Sequence, residues 1–251
     1  MAGNEVAEHE VAEPEVAGHA VAGHAVAGHG RTPDGRGLLL DIGGVVVETG
    51  IHLVARLAER EPAIRPLLDR IGGLGSERDE LWQRMLRREV TDRAYWTQRA
   101  AEVGAALGET WDTRAMMDRL YALPRQEWLR ADVVRLMADT RAAGLPLGAL
   151  TNDMGDFHGP DWVARQDYLE LFDVIVDASV TGVRKPDPRA FGAAARALGL
   201  PPGRIVFLDD MPWNVAGAAQ AGMLAVQVPS GQPGPAVDAA RDLLGLPPRG
   251  P

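Results

Sequence analysis

The chain has 251 residues, enough for one substantial core and a smaller accessory unit. Its 46% hydrophobic content supports a packed globular protein, and its formal charge of −9 argues against a general nucleic-acid grip, which needs clustered Lys and Arg. There is no cysteine, which removes disulfides, thiolate zinc sites and a Cys nucleophile together; no stretch reaches the roughly 18 apolar residues of a membrane span, so a soluble cytoplasmic protein is expected.

Residues 5–29 are tandem pentamers: EVAEH, EVAEP, EVAGH, AVAGH and AVAGH. A period of five matches neither helix nor strand, so His9, His19, His24 and His29 share no face. The repeat reads as a flexible leader in preference to a His-rich metal-binding tail, and residues 1–36 are set apart from the fold.

Gly37 opens an apolar run that extends to Val47 and is interrupted by one carboxylate, Asp41. Such a run reads as a strand buried on both faces in a parallel sheet, with Asp41 at its carboxyl end because an unpaired buried carboxylate is costly. Gly43 and Gly44, just behind it, let backbone approach a ligand or metal closely. Residues 50–123 show no convincing strand, only amphipathic segments near 52–60, 77–89, 91–107 and 112–120, an all-helical insert. Its Trp82, Trp96 and Trp111 suit a bundle core, with a substrate pocket as the alternative.

From residue 124 to 230 helix alternates with strand. A helix over 132–143 closed by Gly144 precedes the strand 145–150 and Thr151-Asn152; a helix over 161–171 precedes the strand 174–179. Asp187-Pro188 opens a helix ending at Gly199, followed by the strand 204–208, the pair Asp209-Asp210, a helix over 214–221 and a strand over 224–228. This alternation predicts an α/β doubly wound parallel sheet. The Pro/Gly-rich tail, 231–251, holds at most a short helix over 237–244.

In a parallel sheet all strand carboxyl ends share one edge, so Asp41, Thr151 with Asn152, Lys185, and Asp209 with Asp210 converge there. Carboxylates gathered in that way repel unless a cation neutralises them, and an oxygen-only set suits Mg²⁺. Lys185 is the lone lysine among 26 basic residues, a compact charge where the chain's habitual arginine would not fit. Lys185, Thr151 and Asn152 would donate to phosphate oxygens, and Gly44 would bring backbone to the substrate.

These motifs, taken in order, resemble the haloacid dehalogenase (HAD) superfamily. Asp41-Ile-Gly43-Gly44-Val45 is similar to its first motif, Ala149-Leu-Thr151-Asn152 to its second, Lys185-Pro-Asp-Pro188 to its third and Leu208-Asp209-Asp210 to its fourth. The helical insert over 50–123 is similar to the family's first type of cap, with the Rossmann-like core in 37–49 and 124–230. The resemblance implies a Mg²⁺-dependent phosphatase acting on a small phosphorylated metabolite through an aspartyl-phosphate on Asp41. By it, Mg²⁺ is held by Asp41, the Gly43 carbonyl and Asp210, with Asp209 as a further ligand or its support; Thr151 binds phosphate and Lys185 offsets charge. The departure is Gly43, where the family's phosphatases carry a second Asp that protonates the leaving oxygen and later activates water. The chain then either favours good leaving groups or borrows an acid, from Glu48 or the cap. The other readings are a metal-free dehalogenase-type C–X hydrolase and a non-catalytic module that binds a phosphorylated ligand or a protein.

Overall fold

Leu38, Leu39 and Leu40 are buried and alternate between two apolar clusters, Leu38 and Leu40 in the larger and Leu39 in the smaller. A strand with helices on both faces requires that alternation. The computed structural model describes residues 35–72 and 77–249; the pentamer leader lies outside the described residues. Gly37–Leu40 forms β1, and α1 (Gly50–Arg60), α2 (Glu80–Leu86), α3 (Asp92–Ala106), α4 (Thr113–Leu120), α5 (Arg125–Trp128) and α6 (Ala131–Ala142) follow. Next come β2 (Leu147–Thr151), α7 (Met154–His158), α8 (Pro160–Ala164), β3 (Val174–Asp177), α9 (Ala178–Thr181) and α10 (Pro188–Leu198). The chain closes with β4 (Ile205–Asp209), α11 (Pro212–Gln220), β5 (Leu224–Gln227) and α12 (Gly234–Leu244).

The strands form one sheet in the order β3-β2-β1-β4-β5, parallel at every pairing. Leu40 is in register with Ala149 of β2 and Leu208 of β4, so Asp41 leaves the sheet at its middle. The strand is shorter than the apolar run. Val45, Val46 and Val47 each donate their backbone N–H to the Ile42 carbonyl, making a buried turn in place of further strand. The expected helix over 161–171 divides into α8 and a 3₁₀ turn over Asp167–Leu171. Helix α12 is longer than expected and buries Ala236, Val237, Ala240 and Leu244 in the larger cluster, so it belongs to the core.

The insert's helices begin where short polar side chains can cap them. Thr49, Asp79, Thr91 and Asp112 accept from the backbone N–H of His52, Trp82, Ala94 and Ala115, each cap worth about 1 kcal/mol. Leu81, Trp82, Met85 and Tyr95 make a separate apolar cluster against which Met211 and Trp213, at the start of α11, pack. That seam fixes the insert over the sheet's carboxyl edge. Trp111 is bundle core as the spacing suggests, whereas Trp82 and Trp96 also line the cavity below. No helix among the described residues is long and apolar enough to cross a membrane.

Candidate active site

The Lys185 ammonium is buried between two carboxylates, 2.9 Å from Asp41 Oδ2 and 2.7 Å from Asp209 Oδ2. Asp41 reaches it from the end of β1 and Asp209 from the end of β4, the neighbouring strand. A guanidinium's wide fork would not occupy this slot, which gives the lone lysine its physical reason.

Asp209 is fully committed. Besides Lys185 it accepts from the Met211 backbone N–H at 2.8 Å and from the Asn214 carboxamide at 3.0 and 3.1 Å. Asp210, next to it, is buried and receives no such donors; what approaches it is the backbone of Gly44. Gly44 has φ of +74°, and a Cβ there would lie 2.1 Å from Asp210 Oδ2. Oxygens of Asp41, Asp209 and Asp210 lie within 4.8 Å of one another.

One ammonium does not balance these charges. Burial pushes Asp41 up to about 7 against the pull of Lys185, with Asp209 adding to the rise. Burial, then the charges of Asp209 and Asp41, hold Asp210 well above the usual carboxylate range. A hard divalent cation relieves both, and a small set of hard oxygen donors in a glycine-lined cradle fits Mg²⁺.

Asn152 ties the second motif to the third. Its Oδ1 accepts from the Lys185 backbone N–H at 2.8 Å and its Nδ2 donates to the Lys185 carbonyl at 3.2 Å, so the carboxamide expected to donate to phosphate is already committed. Thr151 is buried at the end of β2 and lines the same cavity as Asp41, Gly43, Gly44, Lys185 and Asp210.

That cavity has a volume of about 620 Å³ and lies between the sheet edge and the insert. Its far wall is aromatic, with Trp82, Trp96 and Tyr121 from the insert and Phe157 and His158 from α7. Helix α7, with Asp153 at its N-cap, lies inside a cluster of ion pairs. Arg93 of α3 reaches Asp153 and Asp156, and Arg184 reaches the same carboxylates from the core. His158 stacks on Trp162 at 3.9 Å and edges onto Tyr121. Burial, with Arg114 nearby, lowers its imidazole to about 3, so it is neutral.

Glu48, expected as a substitute acid, does not suit that task. Burial would raise it, but the His52 hydrogen bond and the Arg130 guanidinium outweigh burial and hold it at about 2. Asp92, at the first turn of α3, was not singled out by sequence reasoning; it lines the cavity opposite the sheet edge.

A family model of haloacid dehalogenase-like hydrolases matches residues 36–222. The chain belongs to that family. Among the hydrolases it is similar to, the phosphoserine phosphatase of Thermus thermophilus is 29% identical over 79% of this chain and 83% of its own length. Mouse acyl-CoA dehydrogenase family member 10 is 28% identical over 66% of this chain but only 15% of the mouse protein. The chain spans less than two thirds of the first curated relatives it matches. The HAD phosphatase structure from Thermococcus onnurineus shares the fold with a TM-score of 0.52, covering 84% of this chain and 98% of that one at 21% identity.

Proposed function

We propose that this HAD hydrolase is a Mg²⁺-dependent phosphatase that hydrolyses a small phosphorylated metabolite in the cytoplasm through an aspartyl-phosphate on Asp41. The observation that carries the reading is the Asp41–Lys185–Asp209 bridge with the donor-free Asp210 beside it. Asp41 attacks phosphorus; Lys185 holds its carboxylate in line and offsets the charge the phosphoryl group brings. Asp41, the Gly43 carbonyl and Asp210 would hold the ion, with Asp209 fixing Lys185 in place. When bound, Mg²⁺ neutralises charge on the transferring phosphoryl oxygens. Thr151 and the Gly44 backbone serve the phosphate, while Asn152 positions Lys185. Similarity to phosphatases such as the Thermus enzyme supports the same reading.

Gly43 favours a dehalogenase-type or non-catalytic reading, since the family's phosphatases carry Asp there. Asp210 argues against both: a buried carboxylate without a partner beside two others has no use in a metal-free site. Phosphate release from p-nitrophenyl phosphate and a metabolite panel, with Mg²⁺ or EDTA, tests the proposal. Turnover is expected to need Mg²⁺ and to vanish in Asp41→Asn; turnover that survives either change would overturn it.

A further inference from the structure

Position 43 is open. A Cβ built on Gly43 meets nothing within 4 Å, so no neighbouring side chain of the core has moved in where the family's second carboxylate would project. The substitute has to come from elsewhere on the cavity wall, and the groups there can be compared one by one. Glu48 is held ionised by Arg130 and His52. Asp153 is engaged by both Arg93 and Arg184. His158 is neutral and stacked on Trp162, and burial raises Tyr121 above its ordinary range. Asp92 is left.

Its environment is unusual for an aspartate at a helix start. At that position the helix dipole favours the anion, and Thr91 already supplies the cap. Yet Asp92 Oδ1 is enclosed without a hydrogen-bond partner, an arrangement that penalises the carboxylate and suits the carboxylic acid. Trp96 lines the same cavity, its ring set by the insert's contact with Gly50: a Cβ on Gly50 would lie 2.5 Å from Trp96 Cη2. Burial and the Asp153 charge raise Asp92 to about 6, against Lys185, Trp96 and Arg184. Asp92 lines the same cavity as Asp41, Thr151, Lys185 and Asp210.

We propose that Asp92, carried by the insert, is the acid and base that Gly43 cannot be. This rests on the phosphatase reading above. As Asp41 attacks and the phosphorus–oxygen bond to the leaving group breaks, the Asp92 carboxyl gives its proton to the leaving oxygen, yielding an alcohol, the aspartyl-phosphate and an Asp92 carboxylate. That carboxylate then takes a proton from water as the water oxygen attacks phosphorus, releasing inorganic phosphate, freeing Asp41 and reprotonating Asp92. Chemistry then depends on the insert being seated, since the proton donor arrives with it.

The test is leaving-group dependence. Asp92→Asn keeps the shape but donates no acidic proton. It is expected to lower kcat/KM on alkyl phosphates by about 10²- to 10⁴-fold while changing kcat/KM on p-nitrophenyl phosphate little. The reason is that kcat/KM ends at leaving-group departure and that leaving group departs without a proton; kcat falls on both substrates with the lost base. Gly43→Asp, for which the structure leaves room, is expected to restore alkyl turnover in the Asp92→Asn background. Equal losses in kcat/KM on alkyl and aryl substrates, or no rescue by Gly43→Asp in a protein with an unchanged circular dichroism spectrum, would overturn the assignment of Asp92. If Asp41→Asn abolishes turnover and Asp92→Asn leaves the alkyl-to-aryl ratio of kcat/KM unchanged, the phosphatase reading stands and the Asp92 proposal falls. A wild-type protein that turns over no phosphate overturns both.

Discussion

The two walls of the cavity are built on opposite principles. On the sheet edge, charged side chains are tied to one another and to backbone: Lys185 bridges Asp41 and Asp209, Asn214 and the Met211 N–H hold Asp209, and Asn152 holds the Lys185 backbone. On the insert side, the wall includes Trp82, Trp96 and Tyr121 among apolar side chains, and its carboxylate Asp92 keeps an oxygen with no partner. The first wall is a preorganised electrostatic device on rigid parallel strands, of the kind that stabilises charge without reorganising. The second is a packing surface whose ion pairs to the core include those of Arg93 with Asp153 and Asp156. On the proposed reading labour divides between them: phosphate chemistry on the sheet, leaving-group handling on the insert.

Removing the counter-charge breaks the contrast most severely. Lys185→Met leaves Asp41 and Asp209 facing each other in a buried slot, and losing one partner of a buried pair costs about 3–5 kcal/mol. Activity should vanish with it. Asp41 is raised from its ordinary 3.8 to about 7 even with Lys185 beside it, so losing the ammonium adds a penalty through Asp41 only as pH climbs through 7, where the wild-type carboxyl ionises. Thermal melts of Lys185→Met in EDTA should therefore lie closest to wild type in acid and diverge as pH rises through 7. A constant offset across pH would contradict the bridge as the source of the loss.

A matched pair of glycines compares the walls directly. Gly44→Ala forces a left-handed residue to carry a Cβ into the Asp210 carboxylate, and Gly50→Ala forces one into the Trp96 ring. Both overpack a close approach, at about 1–3 kcal/mol each. Their kinetic signatures should differ. Gly44→Ala is expected to raise the Mg²⁺ concentration needed for half-maximal activity, whereas Gly50→Ala should leave Mg²⁺ dependence alone and alter KM and the alkyl-to-aryl ratio through Trp96 and Asp92. The same Mg²⁺ titration curve for both variants would erase the distinction between the walls.

What could be read from the sequence divides along the same line. Asp41, Lys185 and the Asp209-Asp210 pair were legible because a parallel sheet gathers strand ends by topology, whatever the insert does. The lone lysine sits buried at the sheet edge, its ammonium between Asp41 and Asp209. The extent of β1 was not legible, because Val45 to Val47 are as buried in their turn as they would be in a strand. Neither was the cluster joining Arg93 to Asp153 and Asp156, nor the enclosure of Asp92, since both depend on how the insert seats across about 60 residues of intervening chain. Glu48 was misread as a candidate acid because Arg130, its partner, lies 82 positions away.

The smallest effect separates the aromatic wall's packing from its charge. His158 is neutral in the folded protein, with its imidazole lowered from 6.5 to about 3 by burial and by Arg114, while in the unfolded chain it takes up a proton below 6.5. Between those values the unfolded state binds the extra proton, so stability falls as pH drops from 6.5 toward 3. After allowance for partial solvent screening, the loss over that window is roughly 3 kcal/mol. His158→Phe keeps a flat ring against Trp162 and Tyr121 and has no proton to take up. Near neutral pH the variant should melt within a few degrees of wild type; below pH 6 it should overtake wild type by a margin that widens with acidity. Glu48, held at about 2, also makes wild type less stable in acid, but that loss begins only below its ordinary 4.5 and is common to both proteins, so it cancels in the difference. A wild-type-minus-variant curve that stays flat from pH 7 to about 4 would mean the imidazole is solvated, and the wall facing the phosphate chemistry would then be wetter than its aromatic lining implies.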